Sequence, residues 1–263
     1  MNQPTIVPIS SVKNENKTIK TLTFPYDKKT IPGQFFMIWI PRIDEIPMSV
    51  SMIKDVEKSI TFKVVGDATQ SLFQLEKGDQ IGIRGPYGNG FKIDGNNHLF
   101  IGGGTGIAMM APAVEYCLQY HESVDIIIGA KTKKELFFLK RLKNTSARVH
   151  PTTDDGSYGS KGYASDLARE LILKQQIDSI YTCGPEQMMK SIFELSNKHH
   201  IHLQASIERY MKCAVGLCGQ CCIGNGLRVC VEGPIFTETQ LREIKDFGVF
   251  KRNASGKKTY FHH

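Results

Sequence analysis

Up to about residue 95 the hydrophobic positions come in short β-branched or aromatic runs, each closed by turn-forming residues. Residues 5–12, 17–25, 34–41, 49–55, 59–65 and 79–86 read as strands on that pattern. Strands at this spacing predict a small antiparallel β-barrel. From His98 the pattern changes. Apolar strands at 99–104, 124–130, 147–153 and 179–185 alternate with helical periodicity through 109–121, around 133–142, at 164–174 and at 186–200. Such alternation predicts an α/β domain, a parallel sheet wrapped by helices. A third region, from about Ile201, is short, glycine-rich and dense in cysteine. The composition shifts place three domains at 1–95, 96–200 and 201–263.

The chain has 263 residues, 41% of them hydrophobic, enough for ordinary packed cores. Its formal charge of +7 raises nucleic acid as a partner, but Lys and Arg are scattered, and the densest run, 131–143, reads as a solvated helix face. The sharper alternative for that run is a docking surface for an acidic partner. No internal repeat and no low-complexity stretch is present. No stretch reaches the roughly eighteen consecutive apolar residues of a membrane span. The N-terminal residues lack a basic segment followed by an apolar run, so the expectation is a reduced, cytoplasmic protein without a secretory signal.

Cys213, Cys218, Cys221 and Cys230 follow the spacing C-x4-C-x2-C-x8-C, whose first three positions match plant-type [2Fe–2S] ligands. Soft thiolates suit iron–sulfur clusters, and Gly216, Gly219 and Gly224 let the backbone curl around a small one. Cys222 adjoins Cys221; successive side chains of an extended loop point to opposite sides, and Cys221 is the one that completes the spacing. Two other readings remain. A structural zinc site usually takes two C-x2-C pairs, of which there is one here. A disulfide knot fits poorly with an odd count of seven cysteines. Cys117, in an apolar helix, reads as a buried small hydrophobe. Histidines 199, 200 and 202 lack a helical ligand spacing, His262 and His263 are expected to fray, and none is assigned a ligand role.

Gly102, Gly103, Gly104 and Gly106 fall between a predicted strand and a predicted helix, where bare backbone lets a pyrophosphate approach amides and a helix N-terminus. The same glycines are also compatible with tight packing alone. The acidic residue of a dinucleotide fingerprint is not evident, because residues 124–130 end in Ala130 and Lys131. A second glycine-rich turn at 154–163 follows the third strand of this domain, where it either meets the adenosine side of a nicotinamide cofactor or is a plain surface turn.

Four landmarks in order, 66–72 with 78–91, 99–108, 181–189, and 208–221 continued by 229–236, resemble the ferredoxin–NADP reductase superfamily and within it the electron transfer subunits of dihydroorotate dehydrogenase. The resemblance covers nearly the whole chain. It implies a flavin-binding barrel, a nicotinamide-binding α/β domain and a C-terminal [2Fe–2S] domain held by Cys213, Cys218, Cys221 and Cys230. The family's Arg-x-x-Ser flavin motif falls on residues 46–49, giving Pro47, Met48 and Ser49 to the flavin. Ile46 stands where the arginine that pairs with the flavin diphosphate is usual, which leaves FMN, a weaker FAD site or a substitute cation such as Lys63 or Arg42 open beside the favoured FAD. Phe62, Lys63 and Val64 fall on the strand that lines the flavin, and Ala68 and Thr69 on its small-residue turn. Gly103, Gly104, Thr105, Gly106 and Gly184 fall among the residues that bind the nicotinamide cofactor, and Cys183 beside the place where nicotinamide would meet flavin, though as a residue it reads equally as a buried small hydrophobe.

The implied chemistry is a relay: NAD(H) carries a hydride, an iron–sulfur cluster carries single electrons, and FAD mediates. No side-chain general base is required. The implied partner is a dihydroorotate dehydrogenase catalytic subunit in a heterotetramer serving pyrimidine (UMP) biosynthesis, with no nucleic acid and no membrane involved. The alternatives are a reductase subunit of a ferredoxin:NAD(P)H oxidoreductase or soluble hydrogenase, and a non-enzymatic zinc-binding module. Lys131, Lys133 and Lys161 leave NADH against NADPH open.

Overall fold

In the computed structural model, residues 3–120 and 123–261 are described, so His121, His262 and His263 lie outside the described residues. The N-terminal strands are β1 (Thr5–Pro8), β2 (Ser11–Asn14), β3 (Ile19–Pro25), β4 (Phe35–Ile40), β5 (Asp44–Ile53), β6 (Glu57–Lys63) and, after helix α1 (Asp67–Gln74), β7 (Gln80–Tyr87). They form one sheet in the order β1-β7-β4-β5-β6-β3-β2, antiparallel throughout. Only Ile9 and Ser10 separate β1 from β2. The Ile9 amide bonds to the Asp79 carbonyl on one edge and the Ser10 amide to that of Thr23 on the other, so a single bent strand closes the barrel. Leu22, Phe24, Phe36, Ile38, Val50, Ile60, Ile81 and Ile83 fill its interior.

The second sheet is built from β8 (Asn97–Gly103), β9 (Ser123–Ala130), β10 (Arg148–Thr153), β11 (Ser160–Lys161), β12 (Ser179–Cys183) and β13 (His202–Ser206), with helices α2 (Ile107–Cys117), α3 (Leu139–Lys143), α4 (Ala164–Lys174) and α5 (Glu186–His199). After the short pair β14 (Cys222–Ile223) and β15 (Leu227–Arg228) come β16 (Ile235–Thr237), α6 (Glu238–Glu243), β17 (Phe250–Arg252) and β18 (Lys258–Tyr260). The sheet order is β11-β10-β9-β8-β12-β13-β16, parallel except for β16. The order reverses between β8 and β12, which opens a crevice at their carboxyl ends. Among the described residues, no helix is long and apolar enough to cross a membrane.

Three expectations change. The helix expected around 133–142 is a short 3-10 turn at Lys133–Glu135 followed by α3 alone. Phe138 takes a left-handed φ of 61° so that it and Phe137, rings 4.9 Å apart, both turn into the core under α2. The turn expected at Ala68 and Thr69 is the first turn of α1. The boundary expected at 200 falls between α5 and β13, inside the α/β layer, because β13 and β16 are both strands of its sheet. The cysteine segment is therefore inserted between two adjacent strands.

A buried ion pair fastens this insertion. Arg209 donates from Nη1 to Glu186 Oε2 at 2.6 Å and from Nη2 to Oε1 at 3.0 Å, and the Gly248 amide donates to Oε1 at 2.9 Å. Both side chains are almost fully buried. Removing one charge of such a pair strands the other in low dielectric. Glu186→Ala is expected to cost about 3–5 kcal/mol in urea unfolding, and the double variant Glu186→Ala, Arg209→Leu to recover part of that loss.

Candidate functional site

The barrel presents Pro47, Met48 and Ser49, all half-buried, on β5 opposite Met37, Phe36 and Phe35 of β4. Phe62 is buried in the barrel core. Val64 is half-buried, its amide bonded to the Thr18 carbonyl. Lys63, at the end of β6, points across to the α/β domain, its Nζ 3.5 Å from the Glu135 carboxylate. Arg42, the other substitute cation, is exposed in the turn before β5. The Thr69 hydroxyl accepts from the Val65 and Gly66 amides at 2.9 and 3.0 Å and donates to the Gly66 carbonyl at 2.8 Å. Its role is thus to lock the start of α1, where Ala68 sits half-buried. The first amides of a helix have no intrahelical acceptor. A Cβ on the extended Gly66 would meet nothing within 4 Å, so the residue that caps α1 borders open space. An anion such as a diphosphate fits there.

In the crevice, Gly104 takes a left-handed φ of 54° with open space beside it, and Thr105 is exposed. The neighbouring glycines pack two strand ends together. A Cβ on Gly106 would collide with the Cys183 carbonyl, and one on Gly184, whose φ is 151°, would lie 2.8 Å from the Gly103 carbonyl oxygen. A Cβ on Gly103 would lie 2.6 Å from Met188 Sδ. Packing and an open cofactor face are thus divided among adjacent residues. The Cys183 thiol, opposite Gly102 in register, is pushed up to about 12 by burial and by the Glu208 charge, against a hydrogen bond with Ser206. It stays a neutral thiol.

Ser206 and Glu208, at the end of β13 beside Cys183, were not picked out by sequence reasoning, although Glu208 opens the motif that carries the cysteines. The turn at 154–163 is tied to the first edge of the crevice by the Lys133 amide, which donates to Ser157 Oγ at 2.8 Å, and by Lys133 over the Tyr158 ring.

The cysteine loop curls through positive φ at Ala214, Gly216 and Gly219, turning amides toward sulfur. The Cys218 amide lies 3.4 Å from Cys213 Sγ, and the Gln220 amide 3.5 Å from Cys218 Sγ. Burial raises the Cys213 thiol, but hydrogen bonds from the Cys218, Val215 and Leu217 amides and the Cys218 thiol outweigh it and bring it down to about 6. Burial and the neighbouring Cys221 push Cys230 up to about 12.

The four thiols thus form two neighbouring pairs, Cys213 with Cys218 and Cys221 with Cys230. Cys222, in β14, turns its Sγ toward the Gly226 carbonyl, and burial and the neighbouring Cys221 raise its thiol. Among the described residues no group of three or more His, Cys, Asp and Glu side chains is arranged to hold a single metal ion. Two thiol pairs with inward amides fit a donor set for a cluster of two irons, whose sulfurs take such hydrogen bonds.

The barrel and this loop contribute to one core. Phe35 and Met37 point out of the barrel into one hydrophobic core with Cys221, Ile223, Val229 and Cys230. Ser49, Phe35 and Tyr87 stand in one row across β5, β4 and β7, the two aromatic rings 5.9 Å apart. A central barrel strand and two of the thiols therefore belong to the same hydrophobic cluster.

Gly106→Ala is expected to destabilise the chain by about 1–3 kcal/mol, read as a lower unfolding midpoint, and to weaken NADH binding in fluorescence titration because the two strand ends must separate. Cys218→Ser is expected to abolish cluster assembly, read as iron content and absorption, while flavin stays bound.

Residues 208–242 match the iron–sulfur cluster binding domain of dihydroorotate dehydrogenase B, and residues 100–194 the oxidoreductase NAD-binding domain. A probable dihydroorotate dehydrogenase B (NAD(+)) electron transfer subunit from Methanocaldococcus jannaschii is 42% identical over 262 residues, 99% of this chain and 100% of that protein. One from Methanothermobacter thermautotrophicus is 41% identical over 98% of each chain. Among solved structures, an NADH-dependent reduced ferredoxin-NADP oxidoreductase superposes with a TM-score of 0.82 at 26% identity, over 93% of this chain and 91% of that one. A ferredoxin NADP+ reductase from Neisseria gonorrhoeae shares the fold, with a TM-score of 0.65 over 76% of this chain and 92% of that one, at 20% identity. With similarity sustained from end to end and both domain matches in place, the chain belongs to the electron transfer subunits of dihydroorotate dehydrogenase B.

Proposed function

We propose that this chain passes electrons between a dihydroorotate-oxidising catalytic chain and NAD+, through a [2Fe–2S] cluster and FAD, in a cytoplasmic heterotetramer of pyrimidine biosynthesis. The observation that carries the reading is the shared core, in which the barrel strand paired with the flavin motif and two of the four cluster cysteines are members of one hydrophobic cluster. A flavin supplies the conversion between a two-electron hydride and single electrons that nicotinamide and iron–sulfur chemistry otherwise lack.

The residues divide the work. Residues 1–95 hold the flavin, with Pro47, Met48 and Ser49 along its edge, the backbone of Phe62, Lys63 and Val64 lining it, and Ala68 and Thr69 presenting the α1 amides to its diphosphate. Residues 96–200, completed by β13 and β16, hold NAD(H): Gly104 and Thr105 line the open face, Gly103, Gly106 and Gly184 fix the crevice, and the neutral Cys183 closes its floor without accepting a proton. Residues from 201 hold the cluster on Cys213, Cys218, Cys221 and Cys230, where inward amides stabilise thiolate sulfur.

The anaerobically purified protein is expected to show flavin and [2Fe–2S] absorption bands that bleach together when NADH is added. A colourless protein containing zinc would sink the relay, and flavin that bleaches while the cluster stays oxidised would break it at the shared core.

A further inference from the structure

Of the cations in the basic run 131–143, Arg141 alone is not exposed. Instead of facing solvent, its guanidinium makes three hydrogen bonds of 2.7 Å each. Nε and Nη2 donate to the two carboxylate oxygens of Glu115, in the last turn of α2, and Nη1 donates to the Ser51 carbonyl on β5. Its Cζ lies 4.8 Å from the centre of the Phe138 ring, the left-handed residue that starts α3. Glu115 and Phe138 thus aim the guanidinium from within the α/β domain, and a third N–H crosses to the barrel. A planar fork of donors makes such a junction directional, which a lysine could not do.

The acceptor is placed to receive it. Val50 pairs with Ile60 and Met52 with Ser59, so Ser51 is an extra residue in β5, a bulge whose backbone leaves the ladder register. Ser51 is fully buried, and its hydroxyl accepts from Thr61 Oγ1 at 2.8 Å. Ser49 of the flavin motif stands about 7 Å along the same strand. On the other side of the junction, Glu115 is about 12 Å along α2 from Ile107, where the helix leaves the Gly104–Gly106 turn. Arg141 therefore ties the strand that carries the flavin motif to the helix that begins at the open nucleotide face.

Packing alone does not set this joint. A cleft of about 100 Å³ opens between Ile31 and Ile53 on the barrel side and Pro112, Glu115 and Tyr116 of α2. The Lys63–Glu135 pair also crosses between the domains, but at 3.5 Å and with both side chains over a third exposed it holds little. Domains joined by such contacts move relative to each other by default. A tilt of about 5° about Glu115 displaces the start of α2 by about 1 Å over that lever. A misplacement of that size costs a reaction on the order of a hundredfold.

We propose that Arg141 is a positioning residue for hydride transfer: by clamping α2 to β5 it holds the nicotinamide in register with the flavin. The transfer moves two electrons and one proton together from NADH to FAD, leaving NAD+ and reduced flavin, and Arg141 exchanges no proton in it. This role rests on the relay proposed above and adds to it what sets the alignment of the two cofactors.

The test is anaerobic stopped-flow reduction of the cofactor-loaded chain over a range of NADH concentrations, which separates binding from the limiting rate of flavin reduction. Arg141→Leu should lower the limiting rate about tenfold or more and weaken the long-wavelength charge-transfer band of stacked nicotinamide and flavin. Its affinity for ADP-ribose, which fills the nucleotide site without a nicotinamide, should stay within about twofold of wild type. Arg148→Gln is the control: it breaks a similar fork, from Arg148 to Asp125, that lies within the α/β sheet, so it should lower the unfolding midpoint yet leave the limiting rate unchanged. Where Arg141→Leu fails to retain flavin or iron, Glu115→Gln should give a smaller fall in the same direction. An unchanged limiting rate, an equal fall in Arg148→Gln, or a fall matched by lost ADP-ribose affinity would overturn the proposal. A wild-type chain whose flavin NADH does not reduce would instead overturn the relay on which it rests.

Discussion

Strand β4 is buried on both faces, and that constraint organises the molecule. Phe36 and Ile38 belong to the barrel interior, while Phe35 and Met37 belong to a different core, shared with the helices of the α/β layer and with Cys221 and Cys230. An antiparallel barrel strand normally keeps one face for solvent and reads as an alternation. Here the alternation is lost, and what replaces it is a fixed separation between the surface that takes a flavin and the loop that takes a cluster. Electron transfer between two cofactors needs that separation to be reproducible, and close packing is the means by which a protein holds it.

The crevice obeys the same logic at smaller scale. Gly103, Gly106 and Gly184 leave no room for side chains, so the ends of β8 and β12 touch through backbone, while Gly104 alone faces open space. Tight packing and cofactor access, which looked like competing explanations of one glycine run, belong to different residues of it. The thiols show a parallel division. Cys213 is surrounded by amides that favour negative sulfur, whereas Cys183, in the crevice, is kept neutral by burial and a nearby carboxylate.

Much of this was legible in the sequence because local and tertiary preferences agree. The helix at Ala164–Lys174 coincides with its apolar periodicity, and the barrel strands with their β-branched runs. Where they disagree, the sequence misleads. Residues 133–142 have helical spacing, but burying Phe137 and Phe138 together breaks the helix. The cysteines and glycines from 211 onward mark a change of composition that suggests a domain edge near 200, yet β13 and β16 belong to the sheet on either side of that change. Ser206 carries no local signal, since only the pairing of β13 with β12 brings it to Cys183. The family motif fixed the four cysteines but not the way they pair, which depends on the folding of the loop.

The placement of the cysteine segment between β13 and β16 bears on how such a relay is assembled. A domain strung on a linker can swing, and its cofactor samples many distances. A segment whose two ends are neighbouring rungs of one sheet behaves as an elaborate surface loop. It can be lengthened, shortened or exchanged for another redox centre without redrawing the fold beneath it, because entry and exit points already lie side by side. The same geometry forbids it from leaving: detaching the cluster would mean unzipping a sheet edge, so the wire between hydride chemistry and single-electron chemistry is soldered at both ends.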